Sequence, residues 1–267
     1  MEFLSGTVYS TDERKSKRCR LRFSVALFLT VTLLIVTAWS KAYWNDDPWK
    51  AKDYKTWTSE DVEKILYDSP WVKMVEMSAP WLKGPVHYLT PLPTDCNGRP
   101  DMTKGNKTPS SWATGSTESI VIFQVTWQSA RTIRAAKFRM ASLCGRVDLD
   151  RGDEVLEEQP EQYIIIVNSP DMAPFDGMDE DALMKSTSLL FKKAQKKVGP
   201  ETVLIGRYGS SKTVYSLAFK FPRKTDAGEP LLSPDEKEIE FISQAGKFNL
   251  RAKFQPPKML GKNGPDL

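Results

Sequence analysis

The residues best placed to do chemistry lie in "NSPDMAPFDGMDED", residues 168–181. Asn168, Ser169, Asp171 and Asp176 follow a short apolar run and precede a helical pattern. In open sheets, ligands favour the carboxyl ends of strands. Two carboxylates sharing one cleft can do acid–base work when their environments split their pKa values. The four residues are therefore the candidate ligand-binding group, and the competing reading is an ordinary turn-rich connection. No catalytic residue follows from the sequence.

Other patterns fall short of a site. "GRYGSSKT", residues 206–213, approaches the phosphate-loop pattern, but Ser211 stands in place of the second glycine. A strand pattern follows where a phosphate-facing helix is needed. "DLDRGDEVLEEQ", residues 148–159, departs from a calcium loop at Gly152, Asp153 and Gln159. His87 is the single histidine, which removes multi-histidine metal centres. No cofactor and no nucleotide is expected. Arg131, Arg134, Lys137, Arg139 and Arg146 make one helix basic. That face is either solvated or a patch for acidic envelope polymers or lipid headgroups. No interleaved aromatics point to nucleic acid.

The elements that must position these residues begin after an apolar run. Residues 23–39 carry no charge across 17 positions, near the lower length limit of a spanning helix. The net charge of +4 is mostly local, because six basic and three acidic side chains lie in residues 1–22. Basic residues before the run place the N-terminus inside and the body outside. The expected location is the cytoplasmic membrane, single-pass, with the membrane as partner through residues 23–39. "SKA", residues 40–42, also fits a cleavage site, so the alternative is a secreted or periplasmic protein. Cys96 and Cys144 would lie in the exported body, where disulfides persist. They either pair or remain two separate thiols.

Residues 43–82 read as a Trp-rich helical segment, and six of the eight tryptophans lie between positions 39 and 81. Thr58 with Asp61 forms a capping box, Trp57 and Val62 a hydrophobic staple, and Ser69-Pro70 a stop. Residues 83–118 are a linker or long loop, rich in Pro, Gly, Ser and Thr. Residues 119–267 form the main domain. Residues 119–128 predict a strand, Ser129 caps a helix that Gly145 ends, and "QYIIIVNS" predicts a central strand covered on both faces. Residues 179–198 predict one helix, acidic at its start and lysine-rich at its end, with Leu183, Thr187, Leu190, Ala194 and Val198 inward. Two hairpins follow, one turning at "RYGSSK" and one at Ala245-Gly246. The fold class is α+β: a mixed β-sheet with packed helices and an antiparallel C-terminal half, preceded by an N-terminal membrane helix.

"WTSEDVEKILYDSPW", "VTWQSARTIRAA" and the run from "KEIEFIS" to "GKFNLRAKFQPPKML" together resemble a group of uncharacterised bacterial exported proteins. That group has an N-terminal signal, a helix ending D-S-P-W and a W-x-S-A strand-to-helix junction. The resemblance covers about residues 54–260, with the linker variable. It implies export and a single architecture, and it carries no activity and no catalytic residue. The expected function is that of a cell-envelope protein with a binding or structural role and an unknown envelope partner. The alternatives are a carboxylate-dependent hydrolase or lyase, and a soluble periplasmic ligand-binding module.

Overall fold

The computed structural model describes residues 47–83, 86–97 and 118–267. The basic segment at 1–22, the apolar run at 23–39 and most of the linker lie outside the described residues. No helix among the described residues is long and apolar enough to cross a membrane. Residues 48–267 form one compact unit.

Helix α1, Pro48–Ala51, leads into a single 3-10 turn at Tyr54–Thr56 and then helix α2, Ser59–Tyr67. The capping box of α2 is complete: Thr58 Oγ accepts from the Asp61 N–H, and the Asp61 carboxylate accepts from the Thr58 N–H. Trp57 and Val62 are both buried beneath it. The Trp-rich segment then departs from the helical reading. Residues 72–78 form strand β1, Val72–Ser78, which pairs along its whole length with β3, Ile120–Trp127. From Lys73 onward burial alternates with period two, Lys73, Val75 and Met77 being half-buried and Met74, Glu76 and Ser78 exposed. The partner lies beyond the linker, so the two segments share one sheet.

A six-stranded sheet holds β1, β3, β4 (Gln162–Asn168), β8 (Val214–Pro222) and β7 (Thr202–Arg207) in that order, with β2 (Tyr88–Leu89) against β3. Only the short β2 contact is parallel; the other pairings in this sheet are antiparallel. A second, antiparallel sheet orders β10 (Phe248–Phe254), β9 (Ile239–Ala245), β5 (Thr187–Phe191) and β6 (Lys196–Val198). Aromatic rings join the two sheets: Phe219 with Phe241 at 5.4 Å, Trp127 with Phe254 at 5.2 Å and Phe123 with Phe248 at 5.0 Å. Alternate residues of β4, Tyr163, Ile165 and Val167, are buried in this core, while Ile164 and Ile166 are half-buried. The strand is central, as its apolar run predicts, but only one face is fully covered.

Residues 179–198 do not form one helix. Asp179 caps α5, Glu180–Ser186, by accepting from the Ala182 N–H, and the chain then becomes extended as β5 and returns as β6. Thr187-Ser188-Leu189-Leu190-Phe191 fits helical spacing and a strand alike. Pairing with β9 decides between them, because it buries Leu189 and Phe191 and joins the Thr187 and Ser243 hydroxyls at 2.9 Å. The lysines expected at a helix end instead flank a turn, where Gln195 has φ 51°. Lys192 pairs with Glu240 and Lys193 with Asp235.

Helix α3, Arg131–Leu143, follows β3 and packs beside α2. Its end is as predicted, with Gly145 at φ 67°. Its cap is not. The Ser129 hydroxyl accepts from the Ile164 N–H, so it ties the helix start to β4. The Asp266 carboxylate caps α3 instead, accepting from the N–H groups of Arg131 at 2.6 Å and Thr132 at 2.7 Å. Helix α4, Gly152–Glu157, lies beside α3, and β11 (Leu260–Gly261) pairs with β12 (Gly264–Pro265) in the hairpin that delivers Asp266.

Candidate functional site

The four residues singled out after β4 are largely occupied with holding their own connection. Ser169 Oγ donates to the Ile122 carbonyl at 2.8 Å and accepts weakly from the Asp171 N–H. One Asp171 oxygen accepts from the Ala173 N–H at 2.9 Å and the other from the Trp81 indole at 3.0 Å. Asp176 accepts from the Val214 N–H at 2.8 Å, which pins the connection to β8. Asn168 ends β4, between Gln124 and Ser216 of the neighbouring strands. Met172 and Phe175 fill the space beneath, buried in the core. Each carboxylate accepts from fixed donors of the surrounding fold, so this loop is a well-anchored connection.

A cleft lies elsewhere among the described residues. About 560 Å³ in volume and open to solvent, it lies between the first helical turns, the start of α3, helix α4 and the β11–β12 hairpin. That volume falls within the range of small-molecule pockets. None of Asn168, Ser169, Asp171 and Asp176 lines it.

Each wall is built from short-range chemistry. Trp57 Nε1 donates to the Pro48 carbonyl at 3.1 Å, folding α1 back against the start of α2. Arg139 Nε donates to the Trp57 carbonyl at 2.9 Å, holding this turn on α3. The opposite wall is secured at Asp266. Its carboxylate sits at the positive end of the α3 dipole, and its carbonyl accepts from the Trp71 indole at 2.6 Å. Gly261 faces Thr132 so closely that an added Cβ would lie 3.1 Å from Oγ1.

Tyr54 and Asp153 line one side. The Tyr54 hydroxyl donates to Asp153 at 2.9 Å, and Lys55 Nζ meets the other Asp153 oxygen at 2.6 Å. Burial, with the Asp153 carboxylate beside it, pushes the Tyr54 hydroxyl up to about 12. The hydrogen bonds from Lys55 and Tyr54 hold Asp153 below the usual carboxylate range. Gly152 permits this approach, because a Cβ there would meet the Tyr54 hydroxyl and lie 2.8 Å from Phe138 Cε1.

The polar groups of the cleft divide into spent and unspent. Lys52 is held by Asp61 and Lys262 by Asp53. Arg134 gives its terminal nitrogens to the carbonyls of Glu158 and Leu156. Lys137 binds Gln128, so three members of the basic helix face, Arg134, Lys137 and Arg139, are tied into the protein itself. Arg131 is exposed, and among the described residues its guanidinium makes no hydrogen bond or ion pair. Two donors are orphaned: Trp49 Nε1 and Arg134 Nε are buried without an acceptor. A buried donor left unmade costs about 1–3 kcal/mol, so each calls for a reason.

Sequence reasoning marked Arg131 and Arg134, but as a surface patch. Trp49 entered only as one of the tryptophans of the Trp-rich segment, and Asp153 only as a departure from a calcium loop. Asp266 carried no sequence signal, because a cap supplied from 135 residues away leaves no local pattern.

Among the described residues no group of three His, Cys, Asp or Glu side chains is placed to hold a metal ion. Cys96 and Cys144 are joined in a disulfide, tying the segment after β2 to the end of α3. Comparison with protein-family models, with curated proteins and with solved structures returned no match.

Proposed function

We propose that this chain is a cell-envelope binding protein, with residues 23–39 as a single membrane helix and the following body outside. The observation that carries the binding role is the 560 Å³ cleft, which draws its walls from four separated stretches of chain. Such a cleft requires the fold to be complete before it exists, as binding pockets do. The Cys96–Cys144 disulfide supports an oxidising compartment, and the basic residues before the apolar run support this orientation. The carboxylate-hydrolase reading finds little support, because Asp171 and Asp176 are engaged with separate donors.

Two measurements test the reading. Full-length chain with a C-terminal tag is fractionated and its intact mass taken. A full-length mass in the membrane fraction supports the tether. A mass starting near residue 41 or 43 in the soluble fraction replaces it with a released protein. For the cleft, the chain is screened by thermal shift against amino acids, sugars and organic acids. A stabilising compound whose effect disappears in Arg131→Ala maps to the cleft. Hits that Arg131→Ala leaves unchanged count against it.

A further inference from the structure

We infer that this chain forms a two-fold dimer in which β7 pairs antiparallel with β7 of a second copy. The inference stands on the sheet edges and is independent of the cleft. An unpaired edge strand is an open template, and proteins blunt such edges with shortness, lysines or cover. β6 has three residues, two of them Lys196 and Lys197. β1 and β10 lie against each other, with Lys73 of β1 over the Phe254 ring of β10. β7 has neither device. It is six residues long, carries no charge before Arg207, and bulges only at its end, between Gly206 and Arg207. Helix α5 lies beside it and buries Leu183, but among the described residues β7 makes no backbone hydrogen bond outside β8. Leu204 and Gly206 share its outward face, and Leu204 is 52% exposed. The Tyr215 ring crosses Gly206, where a Cβ would lie 2.7 Å from Cζ, and meets Tyr208 at 5.0 Å. Both tyrosines are exposed, so an apolar patch runs along this edge.

Charge selects a second copy as the occupant. A two-fold interface must complement itself, and "ETVLIGR", residues 201–207, does so. It has an acid at one end, a base at the other and Leu204 at the centre. Antiparallel pairing about Leu204 sets residue 203 opposite 205, 202 opposite 206 and 201 opposite 207. Glu201 of each copy then faces Arg207 of the other, and opposite charges directly across two strands are favourable. Within one copy neither charge meets its opposite. The Glu201 carboxylate accepts from the Gln162 amide, and Arg207 donates to the carbonyls of Lys212 and Met178. Among the described residues neither makes an ion pair.

The test uses full-length chain in detergent micelles, with Cys19→Ser so that the disulfide holds the remaining cysteines. Leu204→Cys is oxidised and read on a non-reducing gel. Only the central residue of the pairing faces itself, at about 4.5–5.5 Å between Cα atoms, within disulfide range. Thr202→Cys would lie four positions, about 14 Å, from its copy. The dimer band of Leu204→Cys should exceed that of Thr202→Cys at least about tenfold. It should fall when Arg207→Glu is added and return when Glu201→Arg joins it. No band from Leu204→Cys, or equal bands from both cysteines, overturns the pairing. So does a band that Arg207→Glu leaves unchanged, or a loss that Glu201→Arg does not restore. Sedimentation of the parent chain gives a reading free of cysteine chemistry. The protein mass should rise with concentration from 30.2 kDa toward twice that value, and Leu204→Lys should abolish the rise. A mass of 30.2 kDa at every concentration, or a doubling that Leu204→Lys leaves intact, overturns the dimer.

Discussion

Tyr54 and Glu240 show how single residues respond to their surroundings in opposite directions. The Tyr54 hydroxyl is raised from 10.0 to about 12 by burial and by the carboxylate it donates to. A group raised in the fold gives its full stabilisation below pH 10 and loses it as the pH climbs through 12. Thermal unfolding between pH 9 and 12 should therefore show an alkaline decline that Tyr54→Phe reduces. Gly152→Ala should displace the ring, cost about 1–3 kcal/mol as overpacking, and bring the tyrosine titration read by ultraviolet absorbance back toward 10. Glu240 is buried on β9, with Arg251 Nε at 2.9 Å from one oxygen. Lys192 Nζ lies 2.8 Å from the other, as a charge contact off the direction a hydrogen bond needs. Burial alone would raise this carboxyl, but Lys192 and Arg251 outweigh it and hold it below its ordinary 4.5. Its stabilisation is complete above that value and is lost as the pH falls through the folded-state pKa. Glu240→Gln should lower the melting temperature at pH 7 and narrow its gap to the parent as acid is added. Both bases are half open to water, so the cost falls below the roughly 3–5 kcal/mol of a fully buried pair. Neither residue's role was legible in the sequence, because a carboxylate on a strand looks alike whether its partners are water or two bases, one from a turn and one from the neighbouring strand.

Helix α3 depends on an element far along the chain for its first turn. Two of its N–H groups are satisfied by one Asp266 carboxylate, and a side-chain cap is worth about 0.5–2 kcal/mol. Asp266→Ala should cost about that much in denaturant unfolding and should speed amide exchange at Arg131 and Thr132. Asp266→Asn should recover part of the loss, because an amide oxygen still accepts one bond. Local elements with local caps were readable. The Thr58–Asp61 box, the Gly145 stop, the hairpin between β7 and β8 and the Gly246 turn at φ 58° all lie where residue types placed them. Elements whose conformation depends on a distant partner were not. Residues 187–191 satisfy helical spacing, and only β9 turns them into a strand. Residues 72–78 carry no strict alternation in sequence, with Met74 and Val75 adjacent, and pairing with β3 sets which of them face the sheet.

For the whole molecule, the Cys96–Cys144 disulfide bridges 48 positions, and the loop it closes contains residues 98–117 of the linker. Loop-closure entropy gives such a bridge about 4 kcal/mol. Reduction, or Cys96→Ser with Cys144→Ser, should lower the melting temperature by a matching amount, checked by calorimetry with and without reductant. The candidate site follows the same division between local and distant information. The loop at 168–181 was chosen because its polar residues are adjacent in sequence, and adjacency let them bond to their own backbone and to neighbouring strands instead of opening a cavity. The cleft escaped notice because its walls come from the region of Trp49, Arg131, Asp153 and Gly261, which no window of sequence contains together. The sequence by itself determined the α+β class, the period-two hairpins and the capped ends of helices, since those rest on interactions within a few residues. Only the tertiary structure decided which ambiguous segments became strands, what caps α3 and where a ligand can enter, since those energies come from contacts across the chain.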